Sequence, residues 1–150
     1  FHNSVHNAAA GYWTIGAGCH APSTAISSFD ASFAQGLLEA LVQLQAGAGA
    51  VLLVAYDAPS AGPLAQVSPS EGLLGAAMVL TTSPSHGHTR LRATLVDAAA
   101  PAPRGALADR LGGNAMAPML PLFQALAAGG DLVSLHAGPT QALRVEIAHA

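Results

Sequence analysis

The fold is decided by residues 23–57, which read STAISSFDASFAQGLLEALVQLQAGAGAVLLVAYD. Within this stretch, Ala31 to Ala46 carries apolar residues at every third or fourth position, which predicts a helix. The small residues Ser23 to Ser28 before it predict a strand, and the unbroken apolar run Val51 to Tyr56 after it predicts a strand buried on both faces. A helix that joins two such strands implies a parallel pair, and therefore a layered α/β domain.

The rest of the chain continues this mixture of strands and helices. We expect a short helix or irregular turn over Asn7 to Gly18 and a helix over Met116 to Ala128. Four further strands are expected: Gly75 to Thr82, Arg90 to Val96, Leu132 to Leu135 and Ala142 to Ala148. The turn residues Ser83 to His88 predict a hairpin, and Gly138-Pro139 predicts a turn between the last two strands. Proline-rich stretches over Ala58 to Ser70 and Ala98 to Arg104 are expected to be loops. No repeat divides the chain, so residues 1–150 are expected to form one domain.

Composition excludes several classes of protein. The 150 residues are 51% hydrophobic and 9% charged, with a formal net charge of -3, which is the opposite of a disordered chain. A single cysteine, Cys19, cannot support a disulfide framework or a multi-cysteine zinc site, and it fits a reducing cytoplasm. The apolar runs fall short of the ~20 residues that a membrane span needs. The five arginines are scattered along the sequence, so nucleic acid is not an expected partner.

Two features predict that this chain does not stand alone. So few charged side chains leave too little polar surface, so we expect another chain to cover an apolar face. The sequence begins at Phe1-His2-Asn3 without Met, basic region or apolar region, so it does not begin with a signal peptide, and we expect further residues of the protein upstream.

Candidate reactive residues are sparse. His2 and His6 have helical ligand spacing, but no glutamate follows as in the His-Glu-x-x-His motif of zinc enzymes, so no metal site is expected. Cys19 is followed by His20, but neighbours in sequence point in different directions, which favours a buried or half-buried thiol. Nucleotide-binding glycine motifs and Gly-x-Ser-x-Gly are missing from the sequence. The residues alone therefore indicate an α/β domain with an unidentified site.

A family resemblance rests on the order of several motifs. The segment Ala21 to Phe33, followed by the helix and Val51 to Asp57, resembles the nucleophile region of β-ketoacyl synthases. Asn7 to Gly11 is similar to the Asn-x-x-Ala-Gly segment of that family, and Gly72 to Val96 is similar to the strand pair that follows. The opening, Phe1 to Asn7, resembles a subgroup of short stand-alone synthase-like proteins found near fatty-acid and aryl-polyene gene sets.

This resemblance implies a thiolase-like layered sandwich, a mixed sheet flanked by helices, that forms one half of the synthase fold. Counting from Pro22, the nucleophilic cysteine of the family falls on Asp30, and a carboxylate cannot form the acyl thioester. Chain-length factors replace that cysteine too. The resemblance therefore implies a non-condensing subunit in fatty-acid, aryl-polyene or polyketide assembly. Its partners would be an active synthase, acyl carrier protein or both.

The resemblance also implies a ligand, a dimer and a set of contact residues. The implied ligand is an acyl-pantetheine thioester, with no cofactor and no metal. The strand equivalent to Ser23–Ser28 pairs across a two-fold axis in the family, which implies a homo- or heterodimer. The residues expected to contact substrate or partner are Tyr12, Trp13, Ser28, Phe29 and Asp30. Asp30 has a plainer interpretation as the cap of the following helix, because a carboxylate there accepts backbone N–H bonds.

Two other functions stay open. In the first, the protein is an acyltransferase, synthase or decarboxylase that uses Cys19 or Ser28, which requires an imidazole within roughly 2.6 to 3.2 Å of that residue. In the second, it binds an acyl chain or carrier protein without chemistry. Because carrier proteins are acidic, that function predicts Arg90, Arg92 and Arg104 clustered at a pocket mouth.

Overall fold

The computed structural model describes residues 5–83 and 89–149 of the chain. The helices are α1 (Ala8–Gly16), α2 (Ser32–Gln45), α3 (Leu64–Val67), α4 (Ala106–Leu111) and α5 (Leu120–Ala128), with a 3-10 turn over Ala117–Met119 before the last. The strands are β1 (Ala50–Asp57), β2 (Leu74–Thr81), β3 (Arg90–Val96), β4 (Leu132–Gly138) and β5 (Gln141–Ala148). None of the helices in these ranges is long and apolar enough to cross a membrane.

Helix α2 is the centre of the core. Its apolar positions recur at helical spacing, and Phe33, Leu37 and Leu44 on that face are buried. The helix contacts strands of both sheets, so their inner faces share one core. The Phe33 and Phe123 rings pack at a centroid distance of 5.7 Å, which joins α2 to α5.

The strands form two antiparallel sheets. One holds β1 and β2, and the other has the order β3-β5-β4. In the three-stranded sheet one face supplies buried residues, among them Leu135, Leu143 and Val145, and the other face is largely open. Every strand pairing in the described residues is antiparallel.

The parallel strand pair predicted around α2 is wrong. Ser23–Ser28 forms no strand, only an isolated bridge between Ser28 and Asp30, and β1 pairs with β2 instead. The prediction that β1 is buried on both faces is also wrong. Leu52 and Val54 are 46% and 53% exposed, whereas Leu53 between them packs on the core. An apolar run does not reveal whether the second face has a cover, and here no described element covers it.

The other predicted elements have mixed outcomes. Strand β3 occupies the predicted residues, and β4 and β5 form the expected hairpin. The hairpin expected between β2 and β3 is wrong because these strands lie in different sheets, while residues 84–88 of its turn lie outside the described residues. Pro118 and Pro121 lack backbone N–H groups, and the expected helix from Met116 opens as the 3-10 turn and becomes α5 only at Leu120. The expected loop Ala58 to Ser70 contains the short helix α3.

Candidate functional site

A tight turn precedes α2 and presents Phe29 to solvent. Phe29 has φ = +49°, in the left-handed region that costs an L-residue free energy, and its side chain is 74% exposed. Ser32 stabilises the turn through both functions of its hydroxyl. Its Oγ accepts the Ser28 N–H at 2.7 Å and donates to the Phe29 carbonyl at 2.6 Å.

Asp30 follows in the same turn and faces a cavity rather than the helix. The N-cap position of α2 is Ala31, and no side chain makes a cap hydrogen bond there, so the prediction that Asp30 caps the helix is wrong. Asp30 instead lines a cavity of about 270 Å³ together with Ser134 and His136. Much of the remaining wall is proline: Pro101, Pro103, Pro118 and Pro121.

The end of β4 is fixed beside this turn by a hydrogen bond. The ladder between β4 and β5 shifts register between His136 and Gly138, and the Ala137 carbonyl accepts a bond from Gln35 Nε2 at 2.9 Å. Gln35 lies in the first turns of α2, so this bond places His136 close to Asp30. Ser134 and His136 share one face of the strand because side chains alternate along it.

This first cavity combines three hydrogen-bonding side chains with apolar walls. No ion pair joins Asp30 to His136 among the residues that the structure describes. Asp30 accepts hydrogen bonds when ionised, whereas the His136 ring and the Ser134 hydroxyl can each donate or accept. Such a cavity can hold a small polar group whose flanks are apolar.

A second cavity, of about 430 Å³, lies beside the start of α2. Its lining includes Ile26, Ser28, Gln35, Leu38 and Glu39. Ser28 and Asp30 therefore line different cavities although only one residue separates them. Gln35 links the two, because it lines the second cavity and holds the strand end that borders the first.

The structure gathers some of the predicted site residues and separates others. Ser28, Phe29 and Asp30 share one turn, but Tyr12 and Trp13 lie exposed on α1 and line neither cavity. Cys19 is half-buried after α1 and lines neither cavity. Their roles stay predictions.

The histidines give little support to a reactive cysteine or serine. Over residues 5–83 and 89–149, no imidazole is hydrogen-bonded to Cys19 or Ser28; the ring of His149 contacts the Gly130 carbonyl. The same residues contain no group of three His, Cys, Asp or Glu side chains that could hold a metal ion. His2, His86 and His88 lie outside the described residues.

Sequence reasoning missed the partners of Asp30. Ser32, Gln35, Ser134 and His136 were not expected to act together, since they come from two elements, α2 and β4, that only the fold brings close to the Asp30 turn. The prolines of the Ala98 to Arg104 stretch were expected to form only a loop, and two of them line the cavity. The density of prolines in this stretch was the available signal for a cavity wall, because proline has a fixed φ and makes the backbone rigid.

Comparison with known proteins shows the family. Residues 1–138 match the family described as Beta-ketoacyl synthase, N-terminal domain, and the chain belongs to that family. A solved structure, the ketosynthase (ApeO) in complex with its chain length factor (ApeC) from Xenorhabdus doucetiae, contains a chain that matches with a TM-score of 0.69. The match has 22% sequence identity and covers 95% of this chain and 54% of that chain. No curated protein matches.

These matches confirm the predicted fold class. The chain has the layered α/β fold of one half of a thiolase-like ketosynthase, built here from helices and antiparallel sheets. It spans about half the length of the ketosynthase-complex chain to which it is similar.

Proposed function

We propose that the protein is a non-condensing β-ketoacyl-synthase-like subunit that pairs with an active synthase in the cytoplasm. The assembly would make a fatty acid, aryl polyene or related polyketide and would take acyl-pantetheine thioesters from acyl carrier protein. One observation carries this proposal: Asp30 occupies the position that the resemblance assigns to the nucleophile, and its side chain lines a cavity.

The chemistry of the turn supports a subunit without condensing activity. A carboxylate that attacked a thioester would form a mixed anhydride, which is less stable than the thioester that it replaced. The other nucleophile candidates, Cys19 and Ser28, have no hydrogen-bonded imidazole in the described part of the chain to accept their proton. A subunit that holds an acyl group noncovalently needs neither a nucleophile nor an imidazole to accept its proton.

The surface is larger than that of a compact monomer, which agrees with pairing with another chain and equally with cover by further residues of the same protein. Its accessible area is 9580 Å². A compact monomer of 14.9 kDa exposes roughly 7,000 Å², so the excess is about 2,500 Å². One partner in a standard interface buries about 800 Å². The excess is therefore large enough for one extensive interface or several standard ones.

Acyl transfer gives the first test. The full chain is incubated with acyl carrier protein thioesters, and its intact mass is measured alongside Cys19→Ala, Ser28→Ala and Asp30→Ala; an active β-ketoacyl synthase is the positive control. We expect no acyl adduct on any form of this protein. An adduct that disappears in one variant would instead make the protein an enzyme and identify its nucleophile.

Pairing gives the second test. The segment Ser23 to Ser27 is exposed except for the half-buried Ala25 and has no strand partner here, and the resemblance implies that it pairs across a two-fold axis. Ala25→Pro would remove a backbone donor from the middle of that segment. In mass photometry with the co-expressed synthase, we expect this variant to lose the complex and the loop control Ala61→Pro to keep it. A complex that survives Ala25→Pro would exclude pairing through this segment.

A further inference from the structure

The open face of the β3-β5-β4 sheet gathers three of the five arginines in the chain. The register places Arg92 opposite Glu146, Thr94 opposite Arg144, and Arg90 opposite Ala148. Residues directly opposite each other in an antiparallel pair project to the same face. Arg90, Arg92 and Arg144 therefore share one face, which we call the arginine face, with Glu146 as its one carboxylate.

This placement concentrates positive charge on one face of an otherwise acidic molecule. The arginine face carries three arginines and one glutamate, a formal charge of +2, within a chain of -3. The rest of the chain therefore carries -5, from seven carboxylates and the two remaining arginines, Arg104 and Arg110. Isolated arginines scattered along the sequence become a local positive surface only because β3 and β5 pair in this register.

Glu146 orders the arginines without neutralising them. It lies between Arg144 at 3.4 Å and Arg92 at 3.9 Å, and the side chains of these arginines are 49% and 81% exposed. Exposed ion pairs of this kind contribute at most about 1 kcal/mol and are screened by salt, so both guanidinium groups stay available to an external carboxylate. Arg90, opposite Ala148, adds a third guanidinium without a facing carboxylate across the strand.

The arginine face leads directly to the cavity that contains Asp30. Ser134 on β4 lies opposite Arg144 on β5, and Ser134 lines that cavity. A partner bound to the three arginines would thus lie next to the cavity opening. Of the expected cluster of Arg90, Arg92 and Arg104, the register places the first two on this face together with Arg144. Arg104 lies in the loop before α4, next to Pro103 of the cavity wall, and its place in the cluster stays a prediction.

We propose that the arginine face is a docking surface for an acidic protein. The acidic protein is acyl carrier protein, and this identity rests on the proposed function. The register places no Phe, Tyr or Trp among the paired residues on this face, which removes the stacking that single-stranded nucleic acid uses. Charge complementarity on a flat, exposed sheet suits a rapid and reversible encounter with an acidic helix or loop.

The test is binding of fluorescently labelled holo acyl carrier protein to the full chain over a range of salt concentrations. We expect the triple variant Arg90→Gln, Arg92→Gln, Arg144→Gln to bind at least tenfold more weakly at low salt and to lose most of its salt dependence. The control Arg110→Gln, on helix α4, should change binding less than twofold. Glu146→Gln removes the one negative charge on the face and should strengthen binding about two- to threefold.

Each contrary result has a definite meaning. Unchanged binding of the triple variant, with an unchanged thermal melting curve, would overturn the proposal. A DNA oligonucleotide that binds as tightly as the carrier protein would assign the face to nucleic acid and would also overturn it. Self-association that the triple variant abolishes would assign the face to a second copy of the chain. Synthase pairing is measured separately by mass photometry, so loss of carrier binding alone leaves the proposed pairing intact.

Discussion

Phe29 is strained by its backbone rather than by its packing. Its φ of +49° places Cβ against the backbone, and its exposed ring gains little from burial. Glycine adopts this conformation without that penalty. We expect Phe29→Gly to be more stable than Phe29→Ala by about 1 kcal/mol, measured by urea unfolding. Equal stability of the two variants would show that the turn has no left-handed strain.

Asn114, unlike Phe29, is buried, and both the nitrogen and the oxygen of its side-chain amide make hydrogen bonds. It is 2% exposed, its Nδ2 donates to the carbonyls of Glu71 and Gly72 at 3.0 and 3.2 Å, and its Oδ1 accepts the Met116 N–H at 2.9 Å. Asn114→Ala leaves these backbone groups without partners, and we expect a loss of about 2–4 kcal/mol in the free energy of unfolding.

Asn7 provides the control for this prediction. It is exposed at the N-cap of α1 and makes no side-chain cap bond, so Asn7→Ala should cost less than about 0.5 kcal/mol. Chemical denaturation of both variants measures the difference. Comparable losses would mean that the Asn114 bonds do not hold these loops together.

At the residue level, the sequence singled out Asp30, whose role stays a prediction, but not the side chains around it. The count from Pro22 depends only on local spacing, so it could be made from the sequence. His136 lies more than a hundred residues further on, and its position depends on the irregularity in β4 and on the Gln35 bond. Those contacts arise from tertiary structure and leave no pattern in the sequence.

At the scale of elements, β1 tests which face of the small sheet meets the core. Leu53 packs against the core, while its neighbour Leu52 is 46% exposed. We expect Leu53→Ala to destabilise the protein by about 2–3 kcal/mol and Leu52→Ala by less than about 1 kcal/mol. Thermal or urea unfolding of the two variants gives the comparison. Equal losses would show that the outer face is covered.

Element prediction succeeded where the signal was local. The spacing of apolar residues predicted α2 to within a residue at each end, and alternation predicted β3. It failed for Ser23–Ser28, whose small residues carry no information about a strand partner, and for the pairing of β1. Strand pairing depends on which other strands are available, and that is a property of the whole fold.

At the scale of the molecule, two surfaces of different chemistry are open. The outer face of the β1-β2 sheet is apolar and includes Leu52, Val54, Tyr56 and Val79. The arginine face on the other sheet is polar and positive. An apolar face suits a lasting partner and a charged face suits a transient one. The apolar face is therefore a second candidate surface for the proposed synthase, beside Ser23–Ser27, and the carrier protein would use the other sheet.

Burial of the apolar surface should be visible in the heat capacity of association with the synthase. Covering about 800 Å² on this chain, the share of one partner in a standard interface, with about 65% of it apolar, gives a heat-capacity change of about -0.2 kcal/mol/K, to which the partner adds its own share. Isothermal titration calorimetry between 10 and 35 °C measures it as the slope of binding enthalpy against temperature. Val54→Glu and Leu52→Glu place charges on the outer face of β1, where each side chain is about half exposed, so they should weaken pairing without unfolding the protein. The arginine triple variant is the matched control and should leave both the affinity and the slope unchanged. A slope near zero would show that the synthase instead binds through polar surface.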